Sequence, residues 1–219
     1  MARAGSHQSL KRRGPRREPY DRVLIVCEGS KTEPNYLREL ISHFQLSSAN
    51  VEITGDGGSA PNSVVEYAIE LFEKDLDYNV VFCVFDRDGH STFDQALQQV
   101  RDKKLVRRVG RRKTGEARFE AIVSIPCFEY WVLLHYQYTT APMQRFADVE
   151  PRLRALQAHA NYAKRDKGLF EATRHLLSTA LNNADRANQS AFDNGSSNPT
   201  TQMPTLIRYL QQLAENKVR

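Results

Sequence analysis

No uninterrupted apolar stretch in this 219-residue chain approaches the ~20 residues that a membrane-spanning helix needs. The opening residues, Met1 to His7, also lack the apolar region of a secretory leader. A cytoplasmic protein with no membrane partner is expected. Cysteine is scarce: Cys27, Cys83 and Cys127 are odd in number, far apart and each inside an apolar run, which excludes a disulfide framework and a metal knuckle. Buried free thiols are the expectation. Gly29-Ser30-Lys31-Thr32 ends like a P-loop, but the required upstream glycine is missing and Ser30 separates Gly29 from Lys31, so an ATPase on that motif is rejected. No serine or cysteine stands in a nucleophile elbow with a paired histidine, and nothing repeats at a fixed period.

What is present is a foldable composition, 40% apolar and 26% charged, of a length for one large or two small domains. The formal net charge of +5 hides a division. Residues 1–20 carry six Lys or Arg against Glu18, and residues 101–118 carry nine against Asp102 and Glu116. Without these two segments the remaining 181 residues stand at −7. An acidic body with two basic attachments suits polyanion contact around a cation site; a charge run alone is equally a solvated helix face or a tail.

Residues 1–19 have almost no apolar side chains and are expected to form a disordered basic arm. Residues 22–27 and 80–85 are short, continuous apolar runs, the mark of strands buried on both faces of a parallel sheet. Between them the pattern predicts a helix over 32–45, with Thr32 as a cap and Pro34 in its first turn, a strand over 51–54, a glycine-rich loop over 55–61 and a helix over 62–74. A helix over 93–104 and a strand over 118–125 follow. This alternation predicts an α/β fold, a three-layer, mostly parallel sheet, over residues 20–125. After Pro126 only helices are predicted, over 128–136, 149–159, 168–181 and 204–215, with Pro151 and Pro204 in first turns. Residues 126–219 are thus a helical extension that completes or covers the core.

Ligands of open parallel sheets bind beyond the carboxyl ends of the strands. Glu28 and the pair Asp86 and Asp88 follow the two apolar strands, and if those strands are neighbours the three carboxylates meet at one edge. In an extended turn Asp86 and Asp88 project toward one ion while Arg87 points away. Hard oxygen ligands of this kind suit Mg²⁺ or Mn²⁺; Asp-Arg-Asp-Gly is otherwise an ordinary turn.

The segment Leu24-Ile25-Val26-Cys27-Glu28-Gly29, followed by Asp86-Arg87-Asp88 after the next long strand, resembles a Toprim domain, the Mg²⁺-dependent module of topoisomerases, primases and several nucleases. The longer string through Ser30-Lys31-Thr32-Glu33-Pro34-Asn35-Tyr36 is similar to the opening of the RloB family of Toprim-like proteins, often associated with restriction and phage-defence loci. Phe85 to His90, Ser124 to Tyr136, Tyr162-Ala163-Lys164 and Ser197 to Thr201 extend the likeness over most of residues 22–210. It departs at Ile125, where Asn is usual before the proline, and in the basic segment 101–118.

The resemblance implies a divalent-metal-dependent nuclease with an antiphage role. Asp86 and Asp88 would be Mg²⁺ ligands, and Glu28 an acid/base or a further ligand. Glu33 would reach a second metal or only favour the helix N-terminus. Glu129, a carboxylate in an apolar helix, is either another acidic ligand or a partner of Lys164. Lys31, His90, Arg107, Arg108, Arg111, Arg112, Lys113 and Lys164 are the candidate contacts to a nucleic acid, DNA or RNA, tRNA included; His135 reads as a core histidine. No tyrosine in a second domain suggests a topoisomerase. The alternatives are a non-catalytic nucleic-acid-binding or regulatory partner within a defence complex, or a phosphotransferase; a homo-oligomer is left open.

Overall fold

The computed structural model describes residues 21–47, 51–156 and 167–217. The basic arm expected over 1–19, the end of the helix expected to reach 159, and Lys164 lie outside the described residues. The chain runs β1 (Val23–Cys27), α1 (Thr32–His43), β2 (Val51–Thr54), α2 (Pro61–Lys74), β3 (Val80–Asp86), α3 (Phe93–Asp102), β4 (Leu105–Val109), β5 (Arg112–Ile125), α4 (Phe128–Leu134), α5 (Phe146–Arg154), α6 (Leu169–Thr173), α7 (Leu177–Asp193), β6 (Thr200–Thr201) and α8 (Met203–Lys217).

The strand order is β2-β1-β3-β5-β4, with β6 also on β5. β1 pairs in parallel with β2 and β3, and β3 in parallel with β5. Every residue of β1 and β3 is buried because helices cover both faces. Alternate residues separate the two cores. Val23, Ile25, Cys27, Val80, Phe82 and Val84 pack with α1 and the helices after Pro126, while Leu24, Val26, Val81, Cys83 and Phe85 pack with α2 and α3. This is the expected three-layer, mostly parallel α/β arrangement with C-terminal helices. Among the described residues no helix is long and apolar enough to cross a membrane.

The largest side chain, Trp131 of α4, is fully buried, and its indole N–H donates to the Tyr36 hydroxyl at 3.0 Å. That hydroxyl lies 3.4 Å from Nε2 of His135, whose Nδ1 lies 3.1 Å from the Trp131 carbonyl oxygen. His135 is therefore a core residue with its ring nitrogens occupied. From α1 the Glu39 carboxylate accepts the amides of Gly168 and Phe170, satisfying the start of α6.

Several expectations need correction. The basic segment is a β-ribbon, β4 with the first part of β5, and not a helix face; β5 starts at Arg112 rather than 118. Residues 112–116 of β5 are all exposed and need no apolar alternation, so this part of the ribbon carries no strand signal in the sequence. Strand β6 interrupts the all-helical region, and two residues are too few to show a period. The helix expected over 168–181 is broken: the Thr173 hydroxyl donates back to the carbonyls of Leu169 and Phe170, a 3-10 turn follows, and α7 then runs to Asp193 on a buried row of small alanines. Pro151 sits inside α5, which starts earlier at Phe146 because the Asp148 carboxylate accepts the amides of Gln144 and Arg145. Thr32 is the first helical residue of α1 and makes no side-chain cap.

Candidate active site at the carboxyl edge of the sheet

Side-by-side pairing of β1 and β3 brings the carboxylates together. Cys27 is opposite Val84, and the Glu28 amide continues the ladder by donating to the Val84 carbonyl at 2.8 Å. Glu28 therefore leaves the strand beside Asp86, the last residue of β3, whose backbone amide donates to Glu28 Oε2 at 3.0 Å. The other Glu28 oxygen, Oε1, lies 3.1 Å from Nε2 of His90. Both carboxylate oxygens are held, so Glu28 has a fixed orientation.

The turn after β3 is tied to the next strand. The amides of Arg87 and Asp88 donate to the carbonyls of Ser124 and Pro126. This brings Asp86 and Asp88 to one side and Arg87 to the other. A pocket of about 310 Å³ is lined by Glu28, Asp86, Asp88, Glu33 and Glu129, together with Lys31 and Ser59. Glu129 reaches it from the first turn of α4, which begins at this same sheet edge, and is 1% exposed. Glu33 reaches it from the first turn of α1.

The loop beneath is a support. The Gly29 amide donates to the Gly58 carbonyl, and a Cβ on Gly55 would lie 2.3 Å from the Gly29 carbonyl oxygen. Only glycine permits the β2–α2 loop to press this closely on the loop carrying Glu28.

Burial is the first cause holding the Asp86 carboxyl well above its ordinary range, and the neighbouring carboxylates Glu33, Glu129 and Glu28 add to it; the Phe128 amide works in the opposite direction. The thiols of Cys27 and Cys83 are likewise raised by burial, and all three cysteines are buried and outside any disulfide, so they form no nucleophile here.

A model of the RloB-like protein family matches residues 23–210, from the first residue of β1 into α8. The chain belongs to the RloB-like protein family. Searches of curated proteins and of solved structures found no match.

In this RloB-like protein the predicted site residues fall into two places. Glu28, Lys31, Glu33, Asp86, Asp88 and Glu129 line one pocket, with His90 against Glu28. The ribbon is elsewhere. Ser124 of β5 pairs with Asp86 and Arg118 with Val80, so residues 112–117 project past the opposite end of the sheet. At about 3.3 Å per strand residue, Lys113 lies ~36 Å along β5 from Ser124. Arg108, Arg111, Arg112 and Lys113 are exposed there, but Arg107 is turned in: its side chain is 19% exposed and 3.9 Å from Asp77. Arg107 is thus removed from the free cationic face expected of it. The Glu28–His90 contact was not legible, because spacing does not show that the turn after β3 folds back over β1.

Among the described residues, no group of three or more His, Cys, Asp or Glu is arranged to hold a metal ion as it stands. The carboxylates line a pocket without meeting at a point. Their chemistry nevertheless fits Mg²⁺ or Mn²⁺, since Mg²⁺ takes one or two carboxylates and completes its shell with water and substrate phosphate. The raised Asp86 carboxyl marks a buried charge, crowded by neighbouring carboxylates, that a cation would stabilise.

The raised Asp86 carboxyl has a measurable consequence. Unfolded Asp titrates near its ordinary value of about 3.9, whereas folded Asp86 keeps its proton to higher pH. Above about pH 4 the folded state therefore binds more protons than the unfolded state, and stability falls as pH rises toward and through the folded value. In EDTA, thermal melts from about pH 5 to about pH 8 should show the wild type losing ground to Asp86→Asn, by at most ~3–5 °C per pH unit. Parallel melting curves for the two proteins would contradict this.

Proposed function

We propose that the carboxyl edge is the catalytic site of a divalent-metal-dependent phosphodiesterase that cleaves nucleic acid, DNA or RNA, in an antiphage setting. The observation that carries this reading is the neighbouring pair β1 and β3, which sets an oriented Glu28 against Asp86 in a pocket shared with Asp88, Glu33 and Glu129. Asp86 and Asp88 would hold the ion, with Glu33 and Glu129 within the same pocket. When bound, a divalent cation supplies charge neutralisation at the scissile phosphate and lowers the pKa of an attacking water.

The chain's own groups do the rest. Glu28 accepts the proton of the attacking water, and the Asp86 amide and His90 fix the direction of its lone pairs. Lys31, exposed at the pocket wall, attracts the phosphate into an otherwise acidic site. Arg108, Arg111, Arg112 and Lys113 would contact phosphates remote from the cleavage point, adding affinity and little sequence reading.

The test is incubation of the purified protein with labelled DNA and RNA in Mg²⁺ or Mn²⁺. Cleavage that stops in EDTA supports the reading. Binding retained in EDTA with no hydrolysis under any metal would favour the non-catalytic binding subunit instead.

A further inference from the structure

The turn that brings Asp86 and Asp88 into the acidic pocket sends the residue between them into a second cavity, of about 590 Å³. Phe93, Leu97, Val123 and Ile125 give it an apolar floor, and Arg87 and Arg101 stand at its rim beside Asp94. Phe93, Val123 and Ile125 are buried, whereas both arginines are exposed. Among the described residues neither arginine makes an ion pair; Arg87 has only a 3.4 Å contact to the Ser197 hydroxyl and lies 5.7 Å from the Phe93 ring centroid. Asn188, which also lines the cavity, exchanges hydrogen bonds with the backbone of Thr201.

An acidic-site scaffold does not require this construction. A cavity of nucleotide size, apolar below and cationic at the rim, matches an aromatic base over a phosphate-bearing sugar. Its position fixes the relation to the pocket: consecutive Cα atoms are 3.8 Å apart, so Arg87 leaves the backbone one residue from each of the two carboxylates. A chain whose scissile phosphate sits at Asp86 and Asp88 has to pass over this turn for its adjoining nucleotide to reach Arg87 on the other side.

We propose that the cavity under Arg87 is a nucleotide subsite that holds the nucleotide next to the scissile phosphate of a single-stranded or locally unpaired stretch. The base lies on Phe93, Val123 and Ile125, and Arg87 and Arg101 hold its phosphate. This rests on the phosphodiesterase reading for the scissile phosphate, but the subsite itself binds without metal. Base stacking accepts any sequence, so the subsite selects for an unpaired base and not for a base identity.

The experiment measures binding of a fluorescein-labelled single-stranded octanucleotide in EDTA to the full chain, comparing wild type with Arg87→Ala, Arg87→Lys and Ser197→Trp. Ser197 is exposed at the rim, so a tryptophan there enters the cavity from its solvent side. Arg87→Ala and Ser197→Trp should each weaken binding about tenfold, the scale of one lost charged hydrogen bond, with partial recovery in Arg87→Lys. Unchanged affinity in both Arg87→Ala and Ser197→Trp, or no binding by the wild type, overturns the subsite. Arg87-dependent binding by a wild type that cleaves nothing leaves the subsite standing and sinks the cleavage reading. Metal-dependent cleavage whose KM for the octanucleotide is unmoved by both variants does the reverse.

Discussion

Asp86→Ala should reduce metal-dependent cleavage by about a thousandfold or more, and Glu28→Ala by about 10²–10⁴-fold, the range for loss of a positioned base. The two losses should differ in kind. Asp86 is buried at the edge where the ion would sit, so its removal should raise the Mn²⁺ concentration needed for any residual activity. Glu28 is held by the Asp86 amide and His90, so its removal should leave Mn²⁺ dependence closer to wild type while the rate falls. Asp86→Asn separates chemistry from folding, because it removes a charge disfavoured by burial and by the neighbouring carboxylates and should melt higher than wild type in EDTA while failing to cleave. Wild-type turnover in both alanine variants would remove the carboxyl edge from the mechanism.

The second large effect concerns the ribbon. Replacing Arg108, Arg111, Arg112 and Lys113 with alanine should lower the slope of log affinity against log salt by about three to four units for duplex DNA, nearly one unit per phosphate contact. The exposure of all four makes this a charge effect with little cost to folding. Because the ribbon lies ~36 Å along β5 from the site residue Ser124, about ten base pairs of duplex at 3.4 Å each, the loss should depend on length. Substrates shorter than one helical turn should be cleaved by the quadruple variant as by wild type, and long ones should show a raised KM. Equal loss on short and long substrates would mean that the ribbon acts through the fold. Arg107, already 3.9 Å from Asp77, should contribute less to the slope than its four neighbours.

The physical reasons for what the sequence discloses are visible in these two places. The acidic edge was legible because buried parallel strands must be continuously apolar, so Glu28 and Asp86 announce themselves as the first charges where the apolar runs of β1 and β3 end. Their adjacency needed only that the two strands be neighbours, as they are. The side chosen by Glu129 was not legible, since a fully buried seven-residue helix has no polar face to orient it. Nor was the Glu28–His90 contact, which depends on hydrogen bonds from Arg87 and Asp88 to β5. The ribbon escaped for the opposite reason. Residues 112–116 of β5 are exposed on both faces, so charge replaces the apolar alternation by which strands are recognised. Likewise α7 runs past Leu181 on Ala184, Ala187 and Ala191, small residues whose burial leaves a weak pattern.

The central claim is that Glu28, Asp86 and Asp88 serve one divalent ion. A crystal structure of the protein soaked in Mn²⁺, with the ion located by its anomalous signal, tests it most directly. An ion should appear in the pocket coordinated by Asp86 or Asp88, with Glu28 beside it. A fully occupied Mn²⁺ elsewhere and none at this edge would contradict it.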